Sequence, residues 1–352
     1  MEDHKLRYLQ NFLYHNPEYH LKDYIKKAKS WENKARKCYD KDIKLNTDKF
    51  IEMMLLDGIF VIQLFLMSQN DQLWLQDDPI FGKPHMLNDV RRDMALLENQ
   101  LPFFIVKKLF GMAIGMHEKP KRELLELVCL FFGLEWAMES EVKCSDQVKH
   151  FVHAISLSFL PSVRKEQNQN NEKTKFTPSA TELEAAGVKL KKCKRKCLLD
   201  IEFKNGVLNI PYLALDDSTE YYFRNIIAFE QCYCKNRYLT DYVAFMDCLV
   251  DTPGDAELLI NKDIIENWLS NKEAVAQLLN ALGKEVELSR DHHFNSLSDK
   301  LIKHCQRPHN KWKATFKRDY CSSPWVVISV IAAVALLLLT VAQTVLSALS
   351  LK

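Results

Sequence analysis

The sequence predicts a mainly α globular body with one small β-hairpin, followed by a single membrane-spanning helix at the C-terminus. Three observations lead there. Apolar residues recur at helical spacing through most of the chain. Asn205-Gly206 sits between two alternating apolar runs. Trp325–Ala342 reads WVVISVIAAVALLLLTVA, without a charge, a glycine or a proline. The 352 residues, 47% of them hydrophobic and 27% charged, are enough for a large core. Nine glycines and eleven prolines are too few for a turn-rich β-sandwich.

The body divides into residues 1–163, a polar linker at 164–175 (RKEQNQNNEKTK), and residues 176–318, with a juxtamembrane and anchor segment at 319–352. In the first part, Thr47–Gln69 reads as one helix, capped by Asn46 or Thr47. Glu52, Asp57 and Gln63 interrupt it too often for a membrane span, so a central core helix is expected. Asn88–Leu101 reads as a helix stopped by Pro102, whose ring removes a donor, and Phe103–Phe110 restarts. Leu124–Met138 and Gln147–Leu160 read as further apolar helices. Ser179-x-x-Glu182 is a capping box opening a short helix that Gly187 can end.

Asn-Gly accepts the positive φ angles of a type I′ turn, so residues 198–210 read as a hairpin. A two-residue loop pairs Phe203 with Leu208 and Ile201 with Ile210. Leu199 then joins them on one face, with Asp200, Glu202 and Asn209 on the other. Helices are expected from about Ser218, Thr240, Asn261, Ser270 and Ser298.

About 20 helical residues cross ~30 Å of hydrocarbon, so a span over roughly 325–346 is expected. Trp325, Val326, Ile331, Leu336, Leu339 and Gln343 represent it, and Trp325 and Tyr320 suit the interfacial aromatic belt. Basic residues Arg307, Lys311, Lys313, Lys317 and Arg318 precede the span and only Lys352 follows, which places the body in the cytosol. The N-terminus lacks a signal-peptide pattern and no Asn-x-Ser/Thr acceptor occurs, which agrees with free thiols in a reducing compartment. So short a tail after the span suggests a tail-anchored protein. Thr340, Gln343, Thr344 and Ser347 share one face of the helix, open either to a second helix or to the far headgroup layer.

Four stretches carry a family resemblance: RRDMALLENQLPFF at 91–104, SATELEAAGVKLK at 179–191, LLDIEFKNGVLNIP at 198–211 and FRNIIAFEQC at 223–232. With the run from Asn310 through the final helix, including KRDYCSSPW, they resemble the plant domain of unknown function 247 family, in order and over almost the whole chain. The resemblance implies a mainly α body with one C-terminal span and no established molecular activity. Some grass relatives are associated with self-incompatibility, which implies recognition for those members. The family usually begins with an extra N-terminal portion, whereas this chain starts at MEDHKLRYLQ.

Candidate chemistry is sparse. Cys193-x3-Cys197 and Cys232-x-Cys234 fit zinc-ligand spacing poorly, so no metal or cofactor is expected. His150 and His153 share a helix face and His292-His293 are adjacent, but no nucleophile accompanies them; they read as surface or satisfied core residues. Asp57 and Glu98 fall within apolar helices, where a structural pairing, Glu98 with Arg91 or Arg92, is the simpler account. There is no GxSxG, no phosphate-binding glycine loop and no HExxH.

Lys189, Lys191, Lys192, Lys194, Arg195 and Lys196 form the one dense basic run. It reads either as a solvated lead-in to the hairpin or as a contact for anionic lipid or a partner. With nothing aromatic interleaved, nucleic acid is not expected. The leading expectation is a non-enzymatic, membrane-tethered recognition or scaffold protein, with the lipid bilayer and a protein as partners. The alternative is a membrane-bound hydrolase-like enzyme, which would gather Asp57, Glu98 and a histidine in one pocket.

Overall fold

A computed structural model of the chain describes residues 2–74, 77–113, 123–134, 148–161, 174–193, 197–284, 286–288, 292–307 and 324–350. The helix at its centre is α3, Thr47–Met67, opened by Asn46, whose Oδ1 accepts the Lys49 N–H at 2.9 Å. α3 is long and apolar enough to cross a membrane, yet it is the core helix that its scattered polar residues predict. Phe50, Ile59, Ile62, Leu64, Phe65 and Met67 are fully enclosed. α1 (Glu2–His15), α2 (Leu21–Arg36) and α5 (Phe103–Ala113) pack around it. Gly58 permits the α5 contact, because a Cβ there would stand 2.5 Å from Leu109 Cδ1.

The second layer begins with α6 (Leu124–Phe131) and α7 (Phe151–Leu157). Edge-to-face rings carry the core outward: Phe65 meets Phe131 at 5.0 Å and Phe151 at 5.7 Å, and Phe132 meets Tyr222 at 6.3 Å. Tyr222 lies on α9 (Thr219–Tyr233), which packs against α7, α10 (Tyr238–Leu249) and α12 (Lys272–Gly283). α8 (Ala180–Ala185) and α11 (Pro253–Asn261) complete this side, joined by Asp255, which takes the Thr181 N–H and hydroxyl at 2.8 Å each. One continuous hydrophobic core runs from Tyr8 to Leu301.

Several predicted boundaries move, each for a local reason. The helix expected at 88–101 is α4, Pro84–Met94, because Pro84 presets its first turn and side chains take over its last carbonyls. Glu98 therefore lies exposed in a turn rather than inside a helix. α6 stops at Phe131 because Gly133 turns to φ 69° and Leu134 N–H donates to the Cys129 carbonyl at 2.7 Å. The rest of the predicted 124–138 helix lies outside the described residues. A helix expected to begin at Asn261 instead ends there, since Thr252 and Asp255 form a capping box around Pro253. Asn271 rather than Ser270 caps α12.

Asn205 at φ 52° and Gly206 at φ 75° make the predicted turn between β2 (Glu202–Lys204) and β3 (Val207–Pro211). Phe203 faces Leu208 as the alternation requires, but the ladder ends at Glu202–Asn209 and leaves Ile201 outside it. The basic run, read either as a solvated lead-in to the hairpin or as a lipid or partner contact, contains β1 (Lys189–Cys193), an edge strand parallel to β3, so the sheet order is β1-β3-β2. Two short parallel strands, β4 (Leu213–Leu215) and β5 (Ile265–Asn267), pair separately. α13 (Asn295–Cys305) packs on β2, with Phe203 and His304 edge to face at 5.3 Å.

The last element, α14, runs Pro324–Ser350 over 27 residues. Its described apolar side chains are exposed, Leu336 through Leu339 at 63–66%.

Replacing Gly206 by Val forces a β-branched residue to positive φ and is expected to cost about 2 kcal/mol. Gly206→Asn, which tolerates that region, is expected to lose less than half as much. Urea unfolding of the two variants checks this; equal midpoints for the parent and Gly206→Val would contradict it.

Candidate functional site

Four polar clusters in the body stand out among the described residues, and hydrogen bonds occupy each. His150 is the N-cap of α7. Its Nδ1 accepts the His153 N–H at 3.2 Å, and His153 Nδ1 accepts the Lys149 N–H at 3.2 Å. Both rings pack on Phe229, at 4.9 and 5.0 Å. An accepting Nδ1 requires an unprotonated nitrogen. Burial, the neighbouring imidazole and Lys149 push His150 down to about 4, and burial with Lys149 also lowers His153. A cation at a helix N-terminus would be unfavourable besides.

His292 and Asp241 form the second place. His292 Nε2 stands 3.9 Å from Asp241 Oδ1, with side chains 5% and 4% exposed. Asp241 Oδ2 accepts the His293 N–H at 2.6 Å, and His292 Nδ1 accepts the Phe294 N–H at 3.1 Å. Burial again lowers His292 to about 4. So enclosed a pair fastens the start of α13 to α10 and presents no face to a dissolved substrate.

Glu230 is the third. From the end of α9 it accepts the N–H groups of Leu239 and Thr240 at 3.0 and 2.8 Å and the Thr240 hydroxyl at 2.7 Å. It therefore caps α10 from a neighbouring helix, and burial raises its pKa. The fourth lies at the turn after α4. Asn225 Oδ1 accepts the Leu97 N–H at 2.8 Å, and Gln100 Oε1 accepts the Val152 N–H at 3.2 Å. Gln100 Nε2 donates to the Met94 and Leu96 carbonyls at 2.9 and 2.6 Å.

The sequence candidates fall out as follows. Asp57 pairs with Lys5 at 2.6 Å, on the α1 side of α3. Arg91 and Arg92 lie over the rings of Phe131 and Tyr221, at 5.2 and 5.1 Å, rather than forming the expected ion pair. Asp57, Glu98 and a histidine are thus not gathered. Cys197 is buried and donates to the Leu160 carbonyl at 3.1 Å, while Cys232 is exposed. Among the described residues no three His, Cys, Asp or Glu side chains are grouped to hold a metal. Lys191 and Lys192 are exposed on β1, with Lys192 Nζ 4.3 Å above the Tyr212 ring; Lys194, Arg195 and Lys196 lie outside the described residues. Trp325, Val326 and Ile331 lie within α14, where Leu336, Leu339 and Gln343 are exposed. The Thr340 and Thr344 hydroxyls donate to the carbonyls four residues back, at 2.8 and 2.7 Å.

Asn225, Glu230 and Asp241 escaped the sequence reading. Two of them sit in the FRNIIAFEQC stretch, so the signal was present, but their partners are distant in the chain.

A family model described as DUF247, plant protein of unknown function, matches residues 1–339. The chain is similar to UPF0481 protein At3g47200 of Arabidopsis thaliana, 29% identical over 99% of this chain and 79% of the relative. Putative UPF0481 protein At3g02645 of Arabidopsis thaliana is 21% identical over 97% of this chain and 82% of its own length. No solved structure matches.

The buried His292 and the half-buried His150 give the body a predictable acid sensitivity. An unfolded histidine takes a proton near pH 6.5, whereas folded His150 and His292 resist until about 4. Between those values the unfolded state binds more protons, so stability falls as pH falls. Each costs up to about 2 kcal/mol between pH 7 and pH 5, opposed in part by the raised Glu230. His150→Asn keeps a capping acceptor and is expected to lose about 2 kcal/mol less over that interval. Urea unfolding at both pH values measures the difference, and an identical loss in parent and variant would contradict the assignment.

Proposed function

Because this chain belongs to the plant DUF247 family of unknown function, we propose that it acts as a non-enzymatic recognition or scaffold protein, held to a membrane by α14 with its body in the cytosol. The observation that carries the reading is α14 itself. It has 27 residues, no charge, and exposed leucines at 336–339. At 1.5 Å per residue it is about 40 Å long, enough for ~30 Å of hydrocarbon with both ends in the headgroup layers.

Its polar residues are compatible with that solvent. Lipid offers hydroxyls no partner, and Thr340 and Thr344 already donate to their own helix. This weakens the case for a second helix meeting that face. Counted from Trp325, about 20 residues carry the span to Thr344, so Gln343 reaches the far headgroups.

The absence of an enzymatic role is inferred from how the interior is used. The buried His292 and Glu230 and the half-buried His150, His153 and Asn225, the groups best suited to catalysis, each hold a backbone group. The exposed groups, by contrast, are basic strand residues and aromatics such as Tyr233 and Trp268, which suit contact with a large partner.

Protease added to sealed vesicles with their cytosolic face outward is expected to digest the body and leave a fragment containing α14. Complete protection of the body would reverse the orientation. Release of the intact chain by alkaline carbonate would remove the anchor.

A further inference from the structure

The three-stranded sheet gives the basic run a geometry that the linear sequence lacked. Register places Lys189, Val207 and Lys204 in one row across β1, β3 and β2. Two residues along, Lys191, Asn209 and Glu202 form the next row on the same face. Leu190 and Leu208, on the opposite face, are buried in the core. Lys189, Lys191 and Lys204 are exposed. With strands about 4.8 Å apart and a rise near 3.3 Å, the three lysines span roughly 10 by 7 Å of the exposed sheet face.

The two rows of this face carry three lysines and one acid, the half-buried Glu202. The chain carries 48 basic and 46 acidic residues, yet residues 189–196 hold six Lys or Arg and no acid. Lys192, paired with Ile210 on the opposite face, instead lies over the Tyr212 ring at the strand end. Lysines on an edge strand also discourage edge-to-edge pairing, which accounts for Lys189 and Lys191 on β1. Lys204 belongs to the opposite edge and shares their face, so the three together make a surface rather than a guarded edge.

We propose that this sheet face docks the body against an anionic lipid surface, the cytosolic leaflet entered by α14. The inference rests on the anchor reading and adds to it a second, electrostatic contact. Two features favour lipid as the occupant. A face with three lysines in two adjacent rows complements a plane of anionic headgroups. The sheet also packs on α13, the last described body helix before α14 in the chain, through Phe203 and His304. Each lysine near such a surface contributes about fivefold to binding, so three contribute about a hundredfold, and salt screens the effect.

The test is a lysine footprint on the full chain, reconstituted into nanodiscs of phosphatidylcholine alone or with about one-quarter phosphatidylserine. A water-soluble acetylating reagent labels lysines, and mass spectrometry reads the rate at each. Lys189, Lys191 and Lys204 are expected to label at least several-fold more slowly in the anionic discs, with the difference lost in about 1 M salt. Lys29 and Lys49, exposed on α2 and α3, whose helices pack on other elements, are expected to label equally in both. Equal rates at the three sheet lysines overturn the proposal. Slowing by soluble polyglutamate in neutral discs, without slowing by anionic lipid, overturns it in favour of an acidic protein partner. Failure of the chain to enter neutral discs is the separate failure of the anchor reading. The same comparison, made with anionic discs added to the soluble chain, then still decides the sheet.

Discussion

The turn between α4 and α5 is held by side chains that come from elsewhere in the chain, and the packing of the body depends on it. Asn225 reaches across 128 residues of sequence to take the Leu97 N–H. Gln100 takes the Val152 N–H and closes the end of α4 with its amide nitrogen. Phe103 N–H donates to the Lys149 carbonyl at 2.8 Å, so α5 starts against the entrance to α7. A buried N–H left without a partner costs about 1–3 kcal/mol, which makes each of these contacts a condition on how α4, α5, α7 and α9 meet. The aromatic contacts of Phe65, Phe131 and Phe151 lie within that arrangement and depend on it.

The same pattern of use extends through the interior. Glu230 caps α10, Asp255 ties α8 to α11, and Asp78 accepts the Tyr8 hydroxyl together with the Ile80 and Phe81 N–H groups. Burial keeps His150 and His292 neutral, and their Nδ1 atoms are then free to accept backbone hydrogen bonds. In each case burial of a polar group is compensated by satisfying backbone that the local helix could not satisfy itself. Lys189, Lys191 and Lys204 on the sheet and the described apolar side chains of α14 are, by contrast, exposed.

Much of the fold was legible because local signals act alone. Asn46 and Ser179 cap helices at the residues where they appear, and Asn205-Gly206 sets the turn and the Phe203–Leu208 register. Legibility failed where a distant side chain decides. The 88–101 periodicity continues past Met94, but Asn225 and Gln100 draw the backbone out of the helix. β1 was missed because KLKKC has one buried residue, Leu190, and alternation needs more than one to be seen. Of the candidate site, the basic residues and the terminal helix were visible as composition. The shared face of Lys189, Lys191 and Lys204 was not, since it requires the parallel pairing of β1 with β3.

If Asn225 fastens the two halves into one core, its removal should be felt equally in both. Native-state amide exchange of Asn225→Leu, with Asn225→Asp retaining the acceptor, measures this in α3 and α10 together. The account predicts that the most protected amides of both helices lose about 2 kcal/mol in Asn225→Leu and clearly less in Asn225→Asp. Loss confined to α10, with α3 protected as in the parent, would contradict it.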